Sequence, residues 1–321
     1  MVQTLRRNKI AEHNTITTLD DHHIGKKVDS SMTPSEILQA AGLAWEVETR
    51  PMYFVDKNEN HILVTDKALV RTDNDTFMDT VSSDWKPNQN KVLFDLIAEF
   101  QRISNGAINI THAGNIKNGA MVWALADVDE EFVVFGKDRI RSKILFANPH
   151  KYGKCIDVRF TPTRLQCSNQ LTMSLNKKFK ADLCVKINHC NEFNPQVVFD
   201  AMNLSHDRLG EYKEMAEFLG SKQYNKESLF EYYNEVLGTK TSFEKSILSR
   251  PAELAYEVLE TQPGHEIAAG SFWQAFNSIT YMTDHLQGRS AINRMENIWF
   301  GASRAKKLLA LDKAIEFAQK V

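Results

Sequence analysis

Residues 44–70 read AWEVETRPMYFVDKNENHILVTDKALV. Trp45, Val47 and Thr49 alternate with Glu46, Glu48 and Arg50, the two-residue period of a strand with one buried face. Met52 to Val55 extends that strand, and Asp56 to Asn60 has the composition of a turn. Ile62 to Val64 and Ala68 to Val70 return. The stretch predicts antiparallel strands across 45–85.

Working outward, a short helix precedes the strands. Thr33 is its N-cap, Pro34 its first residue, Glu36 completes a capping box, and Gly42 ends it. After Pro87 a second helix places Leu93, Leu96, Ile97 and Phe100 on one face and stops at Asn105-Gly106. Strands are expected at 107–110 and 121–126, flanking a Lys117-Asn118-Gly119 turn, then at 132–135 and 154–160. Pro162 is expected to open a helix that ends near Lys177. From about Asn194 the pattern is helical, over 195–219, 226–237, 243–260, 271–287 and 291–319, and no repeat of fixed period is seen. The fold class is α+β. Its expected parts are a polar arm (1–30), a mixed core domain of antiparallel strands and helices (31–190) and a helical C-terminal region (191–321).

A chain of 321 residues can bury a full core, and its apolar and charged fractions are ordinary for a soluble protein. Its four cysteines are too few for a disulfide framework and suit reduced thiols. There is no apolar run that would span a bilayer and no signal-peptide core, so a cytoplasmic protein is expected, within its own cell or a host cell.

The net charge of −2 conceals segregation. Lys137 to Lys186 holds twelve Lys/Arg and three acids, +9, leaving −11 for the rest. Such a block suits a polyanion, while pairing with the acidic flanks is the plain alternative. Lys137, Arg139, Arg141 and Lys143 alternate. On a strand they would share one face about 6.5–7 Å apart, near the phosphate spacing of a nucleic-acid strand. Lys151, Lys154, Arg159 and Arg164 extend the set. Lys177 and Lys178 would offset a helix dipole or meet phosphate. Aromatic side chains interleave, and Tyr152 in the 148–153 turn is the best stacking candidate; Phe146, Phe160 and Phe179 suit a core.

Catalytic signatures are weak: no phosphate-binding glycine loop, GxGxxG after a strand, HExxH or GxSxG occurs. Cys184, His189 and Cys190 do not make a recognised zinc pattern. Asp73, Asp75, Asp79 and Asp84 suit turns better than a Mg²⁺ site. No metal and no cofactor are expected.

Four motifs in order resemble the phage/plasmid-like protein family built on domain of unknown function 932. They are Ala40 to Val47; Val70-Arg71-Thr72-Asp73 with Val81 and Trp85 to Asn90; Phe160 to Leu171, with its Thr-Pro-x-Arg and Cys-x-Asn-x-Leu pattern; and Gly270 to Trp273 with Asn277, Thr280, Tyr281, Asp284 and His285. Trp85 stands where the family has Tyr, and Phe272 where it has Thr. The resemblance implies a mobile-element context. The order of elements is also similar to single-strand annealing proteins of the Red-beta, Erf and Sak type.

The expected function is therefore single-stranded DNA binding and annealing in homologous recombination, without catalysis. Lys137, Arg139, Arg141, Lys143, Lys151, Lys154, Arg159, Arg164, Lys177 and Lys178 are the candidate phosphate contacts, with Lys86 beside them. Trp85 or Tyr152 would stack on bases. Asn90 and Asn169 either hold loops or donate to phosphate. Expected partners are single-stranded DNA, further copies in a ring or filament, and a phage exonuclease. The alternatives are a protein that binds a host component, and a metal-dependent nuclease.

Overall fold

The computed structural model describes residues 25–154, 156–165, 169–171, 173–174, 183–185, 196–238, 247–288 and 290–321. Lys177 and Lys178, most of the expected arm and His189 lie outside them, as do Cys155, Cys167 and Cys190. The fold is α+β, with antiparallel sheets towards the N-terminus and helices towards the C-terminus.

The 44–70 stretch forms strands β2 (Val47–Val55) and β3 (His61–Arg71), and β4 (Phe77–Val81) completes a three-stranded sheet. Tyr53 faces Leu63 and Phe54 faces Ile62. β4 pairs only with Lys67–Val70, so the distal hairpin stands clear of it. The larger, eight-stranded sheet runs β1 (Lys26–Lys27), β5 (Ile108–Ile116), β6 (Met121–Val134), β7 (Asp138–Pro149), β8 (Ile156–Phe160) and β10 (Met173–Ser174). β9 (Thr163–Arg164) pairs with β7, and β11 (Leu183–Val185) with β8.

Helix α1 (Pro34–Ala40) carries the expected capping box between Thr33 and Glu36. Helix α2 (Asn90–Ile103) turns Leu93, Leu96, Ile97 and Phe100 into the core, where Phe100 meets Phe146 edge-on at 5.0 Å. Alternation along β6 divides its side chains between two layers. Val122, Ala124 and Ala126 join the main core, while Trp123 and Leu125 join Leu145, Met295, Ile298 and Trp299 on the other face.

The helical part comprises α3 (Gln196–Ser221), α4 (Lys226–Leu237), α5 (Arg250–Glu257) and α6 (Phe272–Tyr281), which widens into a π turn at Met282–Leu286. Then come α7 (Ala291–Trp299) and α8 (Ala302–Ala318). One apolar core runs from Val28 to Ala318, so sheet and helices share it. Among the described residues no helix is long and apolar enough to cross a membrane.

Two expected elements are corrected. Among the described residues the stretch after Pro162 opens no helix: Thr163 and Arg164 form β9, Gln170 bridges back to Thr163, and Met173–Ser174 pair with β8. The backbone of 163–164 and 173–174 pairs with the sheet instead. The long helix expected over 291–319 breaks at Phe300-Gly301, where a side chain on Gly301 would put its Cβ within 2.4 Å of Asn297 Oδ1.

Candidate nucleic-acid interface

The basic alternation does form a strand. On β7, Asp138, Ile140, Ser142 and Ile144 are buried, while Arg139, Arg141 and Lys143 project from the opposite face. Lys137 sits in the β6–β7 turn. That face is not purely positive. In the antiparallel register Glu131 lies opposite Arg141, and Asp127 opposite Lys143. Arg139 Nη2 is 2.5 Å from Glu131, and Lys143 Nζ is 2.5 Å from Asp127. Arg141 reaches both acids, at 3.4 and 3.7 Å. The hydrogen bond from Arg139 holds the Glu131 carboxyl below its usual value. A cavity of about 330 Å³ beside the rank is mostly acidic, lined by Asp127, Asp129, Glu130 and Glu131 with Arg141.

Four other candidates are buried and engaged inside the protein, which withdraws them from a strand. Arg164 is 3% exposed, and its Nε lies 2.6 Å from the carboxylate of fully buried Asp138. Trp273 Nε1 donates to the same carboxylate, and Arg164 Nη2 donates to Gly264 O. Arg159 pairs with Asp157 at 2.5 Å and donates to Trp299 O. Asn90, at the start of α2, donates to Leu43 O and Trp45 O and accepts from His150 Nε2. Because the Asn90 oxygen only accepts, His150 carries a hydrogen on Nε2. Burial depresses that imidazole to about 4. Asn169 donates to Thr280 Oγ1 at 2.7 Å and accepts from His285.

A different group is open. Tyr152 is half exposed, and its ring lies 6.4 Å from that of half-buried Trp85. The turn carrying it closes through Lys154 N to Lys151 O, with Gly153 at φ +70°. Asp79 on β4 accepts from Tyr152 N at 2.9 Å and so pins this turn to the small sheet. Lys86, Lys151 and Lys154 flank the two rings in sequence, and all three are exposed. None of the three has a carboxylate partner among the described residues. Two loops 60 or more residues apart thus bring an aromatic pair together, with three exposed lysines next to it in sequence.

The acids weighed as a metal site are dispersed: Asp73 pairs with Arg71, Asp75 with Arg50, and Asp79 holds Tyr152. No cluster of three metal-ligating side chains occurs among the described residues. The distal hairpin exposes Tyr53, Phe54, Val55 and Leu63, each more than half accessible.

The two later motif segments meet in a buried polar latch that the sequence reading missed as a unit. Asp284 on the π turn accepts from Gln170 N at 2.9 Å and from Lys307 Nζ at 2.7 Å. Lys307 also donates to Gln170 O, and Trp299 Nε1 donates to Gln170 Oε1 at 2.8 Å. Lys307 is fully buried and Asp284 is 2% exposed. Burial opposes charge on both, pushing the carboxyl up and the ammonium down. A sequence signal existed: Lys307 heads the stripe Ala310, Leu311, Ala314 and Ala318, the core face of α8.

A family model described as Domain of unknown function (DUF932) matches residues 77–309. No curated protein and no solved structure matches the chain.

Proposed function

Because the chain belongs to the family described as domain of unknown function 932, its role must be read from its own surface, and we propose that it binds single-stranded DNA and anneals it to a complement without bond chemistry. The observation that carries this reading is the Trp85–Tyr152 pair, with the exposed Lys86, Lys151 and Lys154 beside it in sequence. An exposed aromatic face accepts any base, at about 1–3 kcal/mol per stacked base. Unpaired ammonium groups hold the backbone and leave Watson–Crick edges for the second strand.

One such cluster holds only a few nucleotides, so annealing requires several copies along a strand, in a ring or filament. The exposed apolar hairpin at Tyr53, Phe54 and Leu63 is the surface best suited to join them. The same hairpin favours a second reading, a module that binds another protein. Action in the cytoplasm of a host cell, and with an exonuclease, belongs to the annealing reading.

The test is fluorescence anisotropy of a labelled single-stranded oligonucleotide at several salt concentrations, with and without its complement. Metal-independent, salt-sensitive binding that accelerates duplex formation is expected. Changing Lys86, Lys151 and Lys154 together to Ala should lower the salt slope by about 2, at ~0.7 per phosphate contact on a single strand. Tyr152→Ala should weaken binding about tenfold or more at every salt concentration. Absence of binding at low salt sinks the proposal and leaves the protein-binding reading.

A further inference from the structure

A second cavity, of about 220 Å³, lies where the segment after the π turn meets the start of α8, lined by Gln287, Arg294, Asn297, Ser303 and Lys306 among others. No acidic side chain lines it. This sets it apart from the β7 rank, where each cation faces a carboxylate. Arg294 is half buried, and its Nε donates to Gln287 O at 2.9 Å. That bond fixes the guanidinium plane and leaves its two terminal nitrogens without a partner among the described residues. Lys306 is half buried one helical residue before the latch lysine, yet it has no hydrogen bond or ion pair among the described residues.

Two cations held partly out of water with no counter-ion are costly unless something anionic joins them. We infer that this cavity binds one phosphate group, as free phosphate or as the monoester of a small molecule. A fixed guanidinium edge takes two phosphate oxygens side by side, and Lys306 supplies a point charge to a third. Ser303 Oγ and Asn297 add neutral polar groups at the rim. Two further observations agree with an empty anion seat. Burial alone pushes the Lys306 ammonium below its ordinary value. The α8 N-cap, Gly301, offers no side-chain acceptor to the first-turn N–H groups. The inference stands apart from the annealing reading, since it uses none of the residues around Tyr152.

The experiment is isothermal calorimetry of the full chain with inorganic phosphate, against sodium chloride at matched ionic strength. Saturable binding at one site per chain is expected. Arg294→Gln and Lys306→Gln should each weaken it at least tenfold, and Lys57→Gln, in the turn between β2 and β3, should leave it unchanged. If Arg294→Gln unfolds, because Gln287 loses its donor, Lys306→Gln decides alone. Thymidine 5′-monophosphate and thymidine distinguish the sources. Competition by the nucleotide only assigns a monoester ligand, and competition by neither assigns free phosphate. Heat that never saturates, or binding indifferent to both substitutions, overturns the inference.

Discussion

Replacing Lys307 with Met tests whether the latch between the 169–171 segment and the C-terminal helices is a cooperative part of the fold. The substitution keeps the length of the stem but removes the ammonium that lies 2.7 Å from Asp284. Asp284 is left 2% exposed, with Gln170 N and Thr283 Oγ1 as its remaining donors. Breaking one side of a buried pair costs about 3–5 kcal/mol, against a typical total stability of about 5–15 kcal/mol. At roughly 3 kcal/mol/M in urea, the midpoint should fall by about 1–2 M. The loss should depend on pH in a definite direction. Burial already raises the Asp284 carboxyl, and loss of Lys307 removes an influence that lowers it. Between the unfolded value near 3.9 and the higher folded value, the folded state holds a proton that the unfolded state lacks. Stability of the variant therefore falls as pH rises through that window, and levels off above the folded value. Urea unfolding followed by tryptophan fluorescence at pH 5 and pH 8 reads both effects, because Trp299 belongs to the same network. Adding Asp284→Asn should recover more than half of the loss. A single variant that loses less than about 1 kcal/mol, or a double variant no better than the single, refutes the latch.

Arg164→Met should cost a similar ~3–5 kcal/mol, because it strands the fully buried Asp138 carboxylate; thermal or urea unfolding measures it. His150, depressed to about 4 from an ordinary 6.5, makes the folded state resist protonation. Its contribution of roughly 3 kcal/mol is complete above pH 6.5 and is lost as pH falls to 4, so His150→Gln should flatten the stability profile in that range. Changing Arg139, Arg141 and Lys143 together to Ala should leave the salt slope of oligonucleotide binding within about half a unit of wild type, since each already has a carboxylate neighbour. Phe54→Glu with Leu63→Glu should lower the solution mass measured by light scattering if the hairpin joins copies of the chain; an unchanged mass removes it from self-association.

Local periodicity carried much of the fold. The alternation of Trp45, Val47 and Thr49, the Thr33–Glu36 box and the rank on β7 are all properties of neighbours in sequence, and each appears as an element. The failures share one cause. The segment after Pro162 read as a helix, but Thr163–Arg164 pair with β7 and Met173–Ser174 with β8, pairings that local propensity does not see. Counting charge along 137–186 likewise omitted Asp127 and Glu131, which lie just outside the window on β6 and directly across the sheet from the cations.

That omission bears directly on where a strand could bind. A guanidinium or ammonium 2.5 Å from a carboxylate must give up that contact, or share it, before it meets phosphate, so its net gain is small. The buried cations, Arg159 and Arg164, could reach solvent only by unseating Trp299 O or Asp138. Lys86, Lys151 and Lys154 carry neither handicap. Among the described cations of the window that first suggested a polyanion, Lys151 and Lys154 are exposed without a carboxylate partner, and both neighbour Tyr152 in sequence. Lys86 joins them from outside the window, through the contact of Trp85 with Tyr152. The density of positive charge along the sequence was thus a weaker guide than its partners in space, and under the annealing proposal the short turn at 151–154 is a better candidate than the long basic strand.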